Sequence, residues 1–277
     1  MLLAAVRHAT IPPVTTPSWN QAADLPEVPG SRHQPPEVVA LPPDRLPSVD
    51  ELFTFMRDAE LRFDTLRMRV EERAFTTHGE HLTVSEVALR HPDHARVLTS
   101  EPDRGTTGSY ELWIADGITV RTYSAAHRFG TERPVRPRIR GVAGKDARDL
   151  PGFAKIYSPL TALPMETLPD TFIHPAGYCQ NVLSTGDCSI AGTDRLAGRE
   201  VVVLDCDHPR TIEVSADRRD FHIRLGVDRT DGVILRLEES IGGVVTRDAR
   251  VTDYAPDAVL PPSTFEFAFP TGTTMLY

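Results

Sequence analysis

The chain has 277 residues, 40% of them hydrophobic and 25% charged, enough to bury a core as one large β domain or two small ones. Its net charge of −9 excludes a general nucleic-acid binder, which needs a surplus of cations against phosphate. No stretch is long and apolar enough to span a bilayer.

The opening MLLAAVRHATIPP has six uncharged residues before Arg7 and no basic leader, so it reads as a poor signal peptide. As written, the expectation is a cytoplasmic chain. Residues 1–47 hold ten of the 24 prolines, with pairs at 12–13, 35–36 and 42–43. Such a segment neither pairs in a sheet nor propagates a helix, and it reads as an extended or disordered arm. The domain proper is expected over residues 48–277.

Ser48-Val-Asp-Glu51 has the form of a capping box, a hydroxyl followed three residues later by a carboxylate. Val49, Leu52, Phe53, Met56, Ala59 and Phe63 then recur at helical spacing, predicting an apolar stripe on a helix to about Arg62. At Leu66 the period changes to two: Leu66, Met68 and Val70 alternate with Arg67, Arg69 and Glu71 in a first strand. Leu82–Arg90 and Ala95–Ser100 read as further strands, and Tyr110–Ser124 as a hairpin turning at Asp116-Gly117.

Residues 125–198 lose regular alternation. They carry a basic run (Arg128, Arg133, Arg136, Arg138, Arg140), a short helix near Phe153–Leu163, and Cys179 and Cys188 in a loop-like stretch. One small disulfide between those two cysteines is one reading, and three reduced thiols including Cys206 is the other. An irregular connection of that length reads as a functional loop or an insertion with short elements of its own. Alternation resumes over 199–254 as an antiparallel meander: Arg199–Asp205, Phe221–Val227, Val233–Ser240 and Val244–Tyr254, with glycines 232, 242 and 243 at the turns.

Chemistry-bearing residues are scattered. His78/His81 and His91/His94 are H-x-x-H pairs, but on a strand that spacing sends the two rings to opposite faces. His174, Cys179, Cys188, Cys206 and His208 match no compact zinc spacing. Asp205 and Asp207 share one side of a strand end. Neither a nucleophile elbow nor a glycine-rich phosphate loop is present. The reading is a protein without catalytic residues, metal or cofactor.

The order of elements resembles a known family. A capped helix runs into a first strand, then W-x-A-D-G (Trp113–Gly117), L-A-G-R-E (Leu196–Glu200), V-D-x-x-D-G-x-x-L-R-L-E (Val227–Glu238) and the closing VLPPSTFEF (Val259–Phe267). Over about residues 48–270 this resembles the LolA-like superfamily of lipoprotein carriers and the amino-terminal domain of RseB-type regulators, in an actinobacterial-type member. The resemblance implies an α+β fold, in which a strongly curved, unclosed antiparallel sheet (an open half-barrel) wraps around helices and holds acyl chains in its concavity. It also implies an extracytoplasmic location, against the reading of the amino terminus. The expected function is non-catalytic binding of a lipid or acylated protein, as carrier or sensor. Phe53, Met56, Phe63, Trp113, Tyr123 and Phe129 are the expected lining, and Arg133, Arg136 and Arg138 the contacts to a headgroup or protein partner. The alternative is an interaction module with a self-filled core that binds a protein through the arm or the arginine loop.

Overall fold

The computed structural model describes residues 39–102, 109–135, 159–165, 167–210 and 218–276. The arm up to residue 38, Arg136, Arg138 and Arg140, and most of the helix expected near Phe153–Leu163 lie outside them; Pro159–Leu163 is not helical.

The capping box forms as its residue types require. Ser48 Oγ accepts from the Glu51 amide at 3.2 Å, and the Glu51 carboxylate accepts from the Ser48 amide at 2.7 Å. Helix α1 (Val49–Arg57) follows, and from Ala59 to Arg62 the chain tightens into a 3-10 turn instead of continuing as α-helix. Its buried side chains are Leu52, Phe55 and Met56, with Ala59 and Phe63 beyond them. Phe53, assigned to the stripe from spacing, is only partly buried, and Phe55 takes the interior place. Phe55 shares one helical face with Leu52, Met56 and Ala59, and the Arg62 guanidinium lies 3.9 Å over its ring.

Twelve strands make one open sheet. In chain order they are β1 (Thr65–Thr76), β2 (Gly79–Arg90), β3 (His94–Ser100), β4 (Tyr110–Asp116), β5 (Thr119–Ser124) and β6 (Phe129–Pro134). Two six-residue helices follow, α2 (Leu168–Ile173) and α3 (Ala176–Asn181). The second run is β7 (Asp187–Leu196), β8 (Arg199–Asp207), β9 (Phe221–Asp228), β10 (Ile234–Ile241) and β11 (Val244–Pro256), then the short β12 (Thr274–Met275). The spatial order is β12-β6-β5-β4-β3-β2-β1-β11-β10-β9-β8-β7, antiparallel throughout except where β12 runs parallel to β6. Two meanders are thus joined by one long-range pairing, β1 with β11. The sheet is curved and unclosed, the α+β half-barrel that the sequence led us to expect.

The region read as irregular therefore contains two strands and two helices. They escape periodicity for physical reasons. The helices have fewer than two turns each. Strand β7 carries a register break between Ile190 and Gly192, which resets its alternation. Strand β6 (FGTERP) is short, mostly exposed and near the sheet's edge, with no apolar alternation.

Register carries one apolar face across the sheet. Met68 pairs with Val87, Val87 with Val97 and Val97 with Trp113; on the other side Ala249 pairs with Leu237, Leu237 with Leu225 and Leu225 with Leu204. These residues share one core with α1, α2 and α3, and Leu41, from the stretch read as arm, belongs to it. Helix α1 packs on α3 and β7, and α2 packs on β10. We call this the inner face. On the outer face near β3–β5, Leu112, Ile114 and Tyr123 are buried as well. There the closing Phe265, Phe267 and Phe269 cover the sheet, with Tyr123 5.7 Å from Phe267 and 6.4 Å from Phe269.

Candidate functional site

The site is built where the inner face runs out of helical cover. Trp113 of β4, Val120 of β5 and Arg133 of β6 project from that face in register, since Trp113 pairs with Thr122 and Val120 with Arg133. Above them pass Ala162, Leu163, Pro164 and Met165. Between the two lies an open cleft of about 410 Å³, completed by Pro134 and Val135. Its walls are apolar except for Arg133 at the rim, and its size falls within the roughly 300–1,000 Å³ typical of small-molecule sites. Met165, which lines the cleft, is 63% exposed.

Residues 159–165 are held there by a small polar cluster. The Leu160 amide donates to Glu60 at 2.8 Å. Thr161, fully buried, shares a 2.8 Å hydrogen bond with His91 Nδ1, and its hydroxyl oxygen also accepts from the Asp93 amide. The His91 ring stacks on Phe63 at 5.5 Å. His174, at the end of α2, places Nδ1 2.9 Å from Asp170 and Nε2 3.2 Å from Glu60. Burial disfavours charge on His174, but Asp170 and Glu60 outweigh it and raise its pKa. His91 is displaced the other way, downward, by burial first, with His174 adding to it against Glu60 and Asp64.

A second cluster fixes α1 to the sheet. Asp228 and Asp231 in the β9–β10 turn are 0% and 4% exposed. Arg199 donates two hydrogen bonds to Asp228, both 2.9 Å, and one to Asp231 at 2.6 Å; the Tyr254 hydroxyl donates to Asp231 at 3.1 Å. Asp228 also accepts the amides of Thr230 and Asp231. From the same turn, the Asp231 carbonyl accepts from Arg62, whose other bonds go to the Phe55 and Val39 carbonyls. Gly232 is required here. Its φ is +78°, and a Cβ would stand 3.2 Å from the Phe55 carbonyl and ring. The V-D-x-x-D-G motif is thus a clamp on α1.

The other residues singled out from sequence distribute as follows. Met56 and Phe63 are buried in the shared core, and Phe53 is packed partly against it. Tyr123 lies on the outer face, opposite to Trp113, because it pairs with Leu112 and packs on Phe267 and Phe269; register removes it from the concavity. Phe129 is 43% exposed in edge-proximal β6, stacked on His127. The Cys179–Cys188 disulfide is not formed, and all three cysteines are free. Cys179 lies on α3 with its Sγ 3.8 Å from Met56 Sδ, whereas Cys188 faces Cys206 across the β7–β8 ladder. His91 and His94 do not converge: His91 turns to Phe63 and Thr161, while His94 packs edge-on against Phe265. Among the described residues no group of three or more His, Cys, Asp or Glu is placed to hold a metal ion. Asp205 faces the Arg224 guanidinium, and Asp207 lies 2.5 Å from His222 Nδ1. Leu163, Pro164 and Met165 were missed. Nothing in their spacing marks them, since an irregular strap has no period to read.

No protein-family model and no curated protein matches the chain. Among solved structures it is similar to MucB, at 15% identity and a TM-score of 0.44, over 79% of this chain and 62% of that one. The chain thus spans under two thirds of the length of MucB, which is also solved in a Pseudomonas aeruginosa MucA/MucB complex. A LolA superfamily protein from Nitrosomonas europaea is 12% identical, with a TM-score of 0.31, over 80% of this chain and 99% of that one. The lipoprotein LppX of Mycobacterium tuberculosis is 9% identical, with a TM-score of 0.37, over 75% and 95%. No helix among the described residues is long and apolar enough to cross a membrane.

Proposed function

We propose that this protein binds a lipid or lipidated ligand without catalysing its conversion, as a carrier or sensor, with an acyl chain in the cleft between β4–β6 and residues 159–165. The observation that supports this reading is the cleft of about 410 Å³ formed by Trp113, Val120, Leu163 and Met165, with Arg133 at its rim. Burial of each methylene contributes about 0.8 kcal/mol, so eight methylenes supply about 6 kcal/mol before the costs of association. A guanidinium at the rim favours an anionic headgroup. Arg133 is the described member of the arginine set assigned to that role.

Native mass spectrometry of gently purified protein tests this, followed by organic extraction and by titration with a fluorescent long-chain fatty acid. We expect a co-purifying acyl lipid, and at least a tenfold loss of probe affinity in Met165→Glu. That side chain is exposed, so the variant should retain its circular dichroism spectrum. A clean apo mass with no probe binding would overturn the reading.

One observation favours the second reading, an interaction module. From β7 to β3 the inner face is filled by the protein's own Leu52, Met56, Phe172 and Leu183, each at 0% exposure. Under that reading the cleft stays empty of lipid, and the arm or arginine segment recruits a protein.

A further inference from the structure

The inner face near the sheet's far edge carries two thiols for which the proposed ligand cleft has no use. Cys188 of β7 and Cys206 of β8 are directly opposed residues of an antiparallel pair. Opposed residues on adjacent antiparallel strands have Cα atoms about 4.5–5.5 Å apart, inside the roughly 4.4–6.8 Å window of disulfides. Both thiols donate to one acceptor, the Leu183 carbonyl, at 3.2 Å from Cys188 and 3.5 Å from Cys206. That shared acceptor turns the two sulfurs toward a common point. Gly186 closes the back of the pair, since a Cβ there would stand 2.8 Å from Cys206 Sγ. Cys206 is fully buried and Cys188 half-buried, so a small oxidant reaches the pair through Cys188.

We propose that Cys188 and Cys206 are a dithiol modification site, closing to a reversible cross-strand disulfide on reaction with hydroperoxides. Their electronic roles are unequal in the sense this order needs. Once Cys188 is a thiolate, the Cys206 S–H turns from the Leu183 carbonyl to it, which lowers the Cys188 pKa against burial and the nearby Asp187 and Asp207. The same bond, and then burial, raises that of Cys206. The thiolate forms at Cys188 and is the nucleophile.

The chemistry balances in two steps. The Cys188 thiolate attacks one oxygen of hydrogen peroxide, the O–O bond breaks, and Cys188 sulfenic acid and hydroxide form; the hydroxide takes up a proton to become water. The Cys206 sulfur then attacks the Cys188 sulfur and loses its thiol proton. The S–O bond breaks, and the hydroxyl leaves with that proton as a second water. Two thiols lose two electrons and one peroxide gains them. The product ties edge strand β7 to β8. Cys179 takes no part: it sits on α3 against Met56 of α1, and burial pushes its thiol up.

The test is peptide mapping of the folded wild-type chain after limited hydrogen peroxide, quenching, denaturation and maleimide labelling. Reduced protein should take three labels, one per cysteine. Oxidised protein should take one label, at Cys179, with a Cys188–Cys206 linked peptide, and dithiothreitol should restore the other two. In Cys206→Ser, dimedone should trap a sulfenic acid at Cys188. Each of three results would overturn the proposal: a linkage that includes Cys179, sulfinic acid at Cys188 with Cys206 still alkylated, or three labels after oxidation.

Discussion

Arg199→Ala should be among the most damaging single substitutions near the surface of this protein. The guanidinium satisfies two carboxylates, Asp228 at 0% exposure and Asp231 at 4%. Without it, Asp228 keeps only its two backbone donors and Asp231 keeps Tyr254, so two negative charges stay close together away from water. Removing one partner of a buried pair costs about 3–5 kcal/mol. The Arg199 side chain is itself 28% exposed, which argues for the lower half of that range. For a chain of this size each kcal/mol shifts Tm by about 2–4 °C, so a drop of roughly 6–16 °C is expected. Guanidinium unfolding at pH 7, followed by circular dichroism, gives the free energy directly. Arg199→Lys should recover only part of the loss, because an ammonium cannot form the two-pronged contact to Asp228. Combining Arg199→Ala with Asp231→Asn should cost less than the two single changes added together, since the double variant carries one fewer unpaired charge. A loss under about 1 kcal/mol for Arg199→Ala, or strict additivity in the double variant, would refute the clamp.

The two histidines beside the strap should give stability opposite pH slopes. His174 has a raised pKa, so its contribution is fully present below about 6.5 and is lost as pH rises through the folded value. His91 is depressed, so it favours the fold above 6.5 and withdraws support as pH falls. Thermal melts from pH 5 to 8.5 should therefore show His174→Gln losing most relative to wild type at acid pH and His91→Gln losing most at alkaline pH; the same slope in both would contradict these assignments. Gly130→Ala should destabilise by about 1–3 kcal/mol, because a Cβ there would stand 2.5 Å from the Phe269 ring. Chemical denaturation should show part of that loss recovered by Phe269→Leu in the same chain. Ser48→Ala removes the cap of α1 and should cost about 1 kcal/mol in the same assay, whereas Ser48→Asp should cost little.

The capped helix, the hairpin at Asp116-Gly117 and strands β8 to β11 were legible because each carries its information locally. A cap is four residues long, and a strand declares itself by alternation. The pairing of β1 with β11 was not legible, since it joins Leu66 to Pro256 and no local pattern encodes a partner that distant. Facing was only half legible. Alternation separates Leu112 from Trp113 but does not say which is inside, and here both sides of β4 and β5 are covered, one by the core and one by the closing phenylalanines. Tyr123 was assigned to the wrong side for that reason. The helix stripe erred by Phe53 for Phe55, although Leu52, Phe55, Met56 and Ala59 recur at i, i+3, i+4 and i+7 and so define the buried face locally. The cleft was least legible. Trp113 and Arg133 are strand residues with a readable register, but their cover is a strap whose place is fixed by Glu60 and His91.

Where the helices end also bears on which part of the molecule would yield to a ligand. Lifting α1 would expose Leu52, Phe55 and Met56, each worth about 1.5–3 kcal/mol of burial, and would break the Arg62 bonds to Phe55, Val39 and Asp231. Lifting residues 159–165 breaks less, chiefly the Leu160–Glu60 bond, the two Thr161 contacts, the Thr167–Pro164 bond and the burial of Leu163. Glu60 then keeps His174 as a neighbour, so its charge is not left unpaired. Displacing the strap is the cheaper opening by several kcal/mol, and it widens the cleft over Trp113 without disturbing the clamped helix. Under the proposed function, an acyl chain would therefore enter beside β4–β6, toward the β6 side of the sheet and away from the helices.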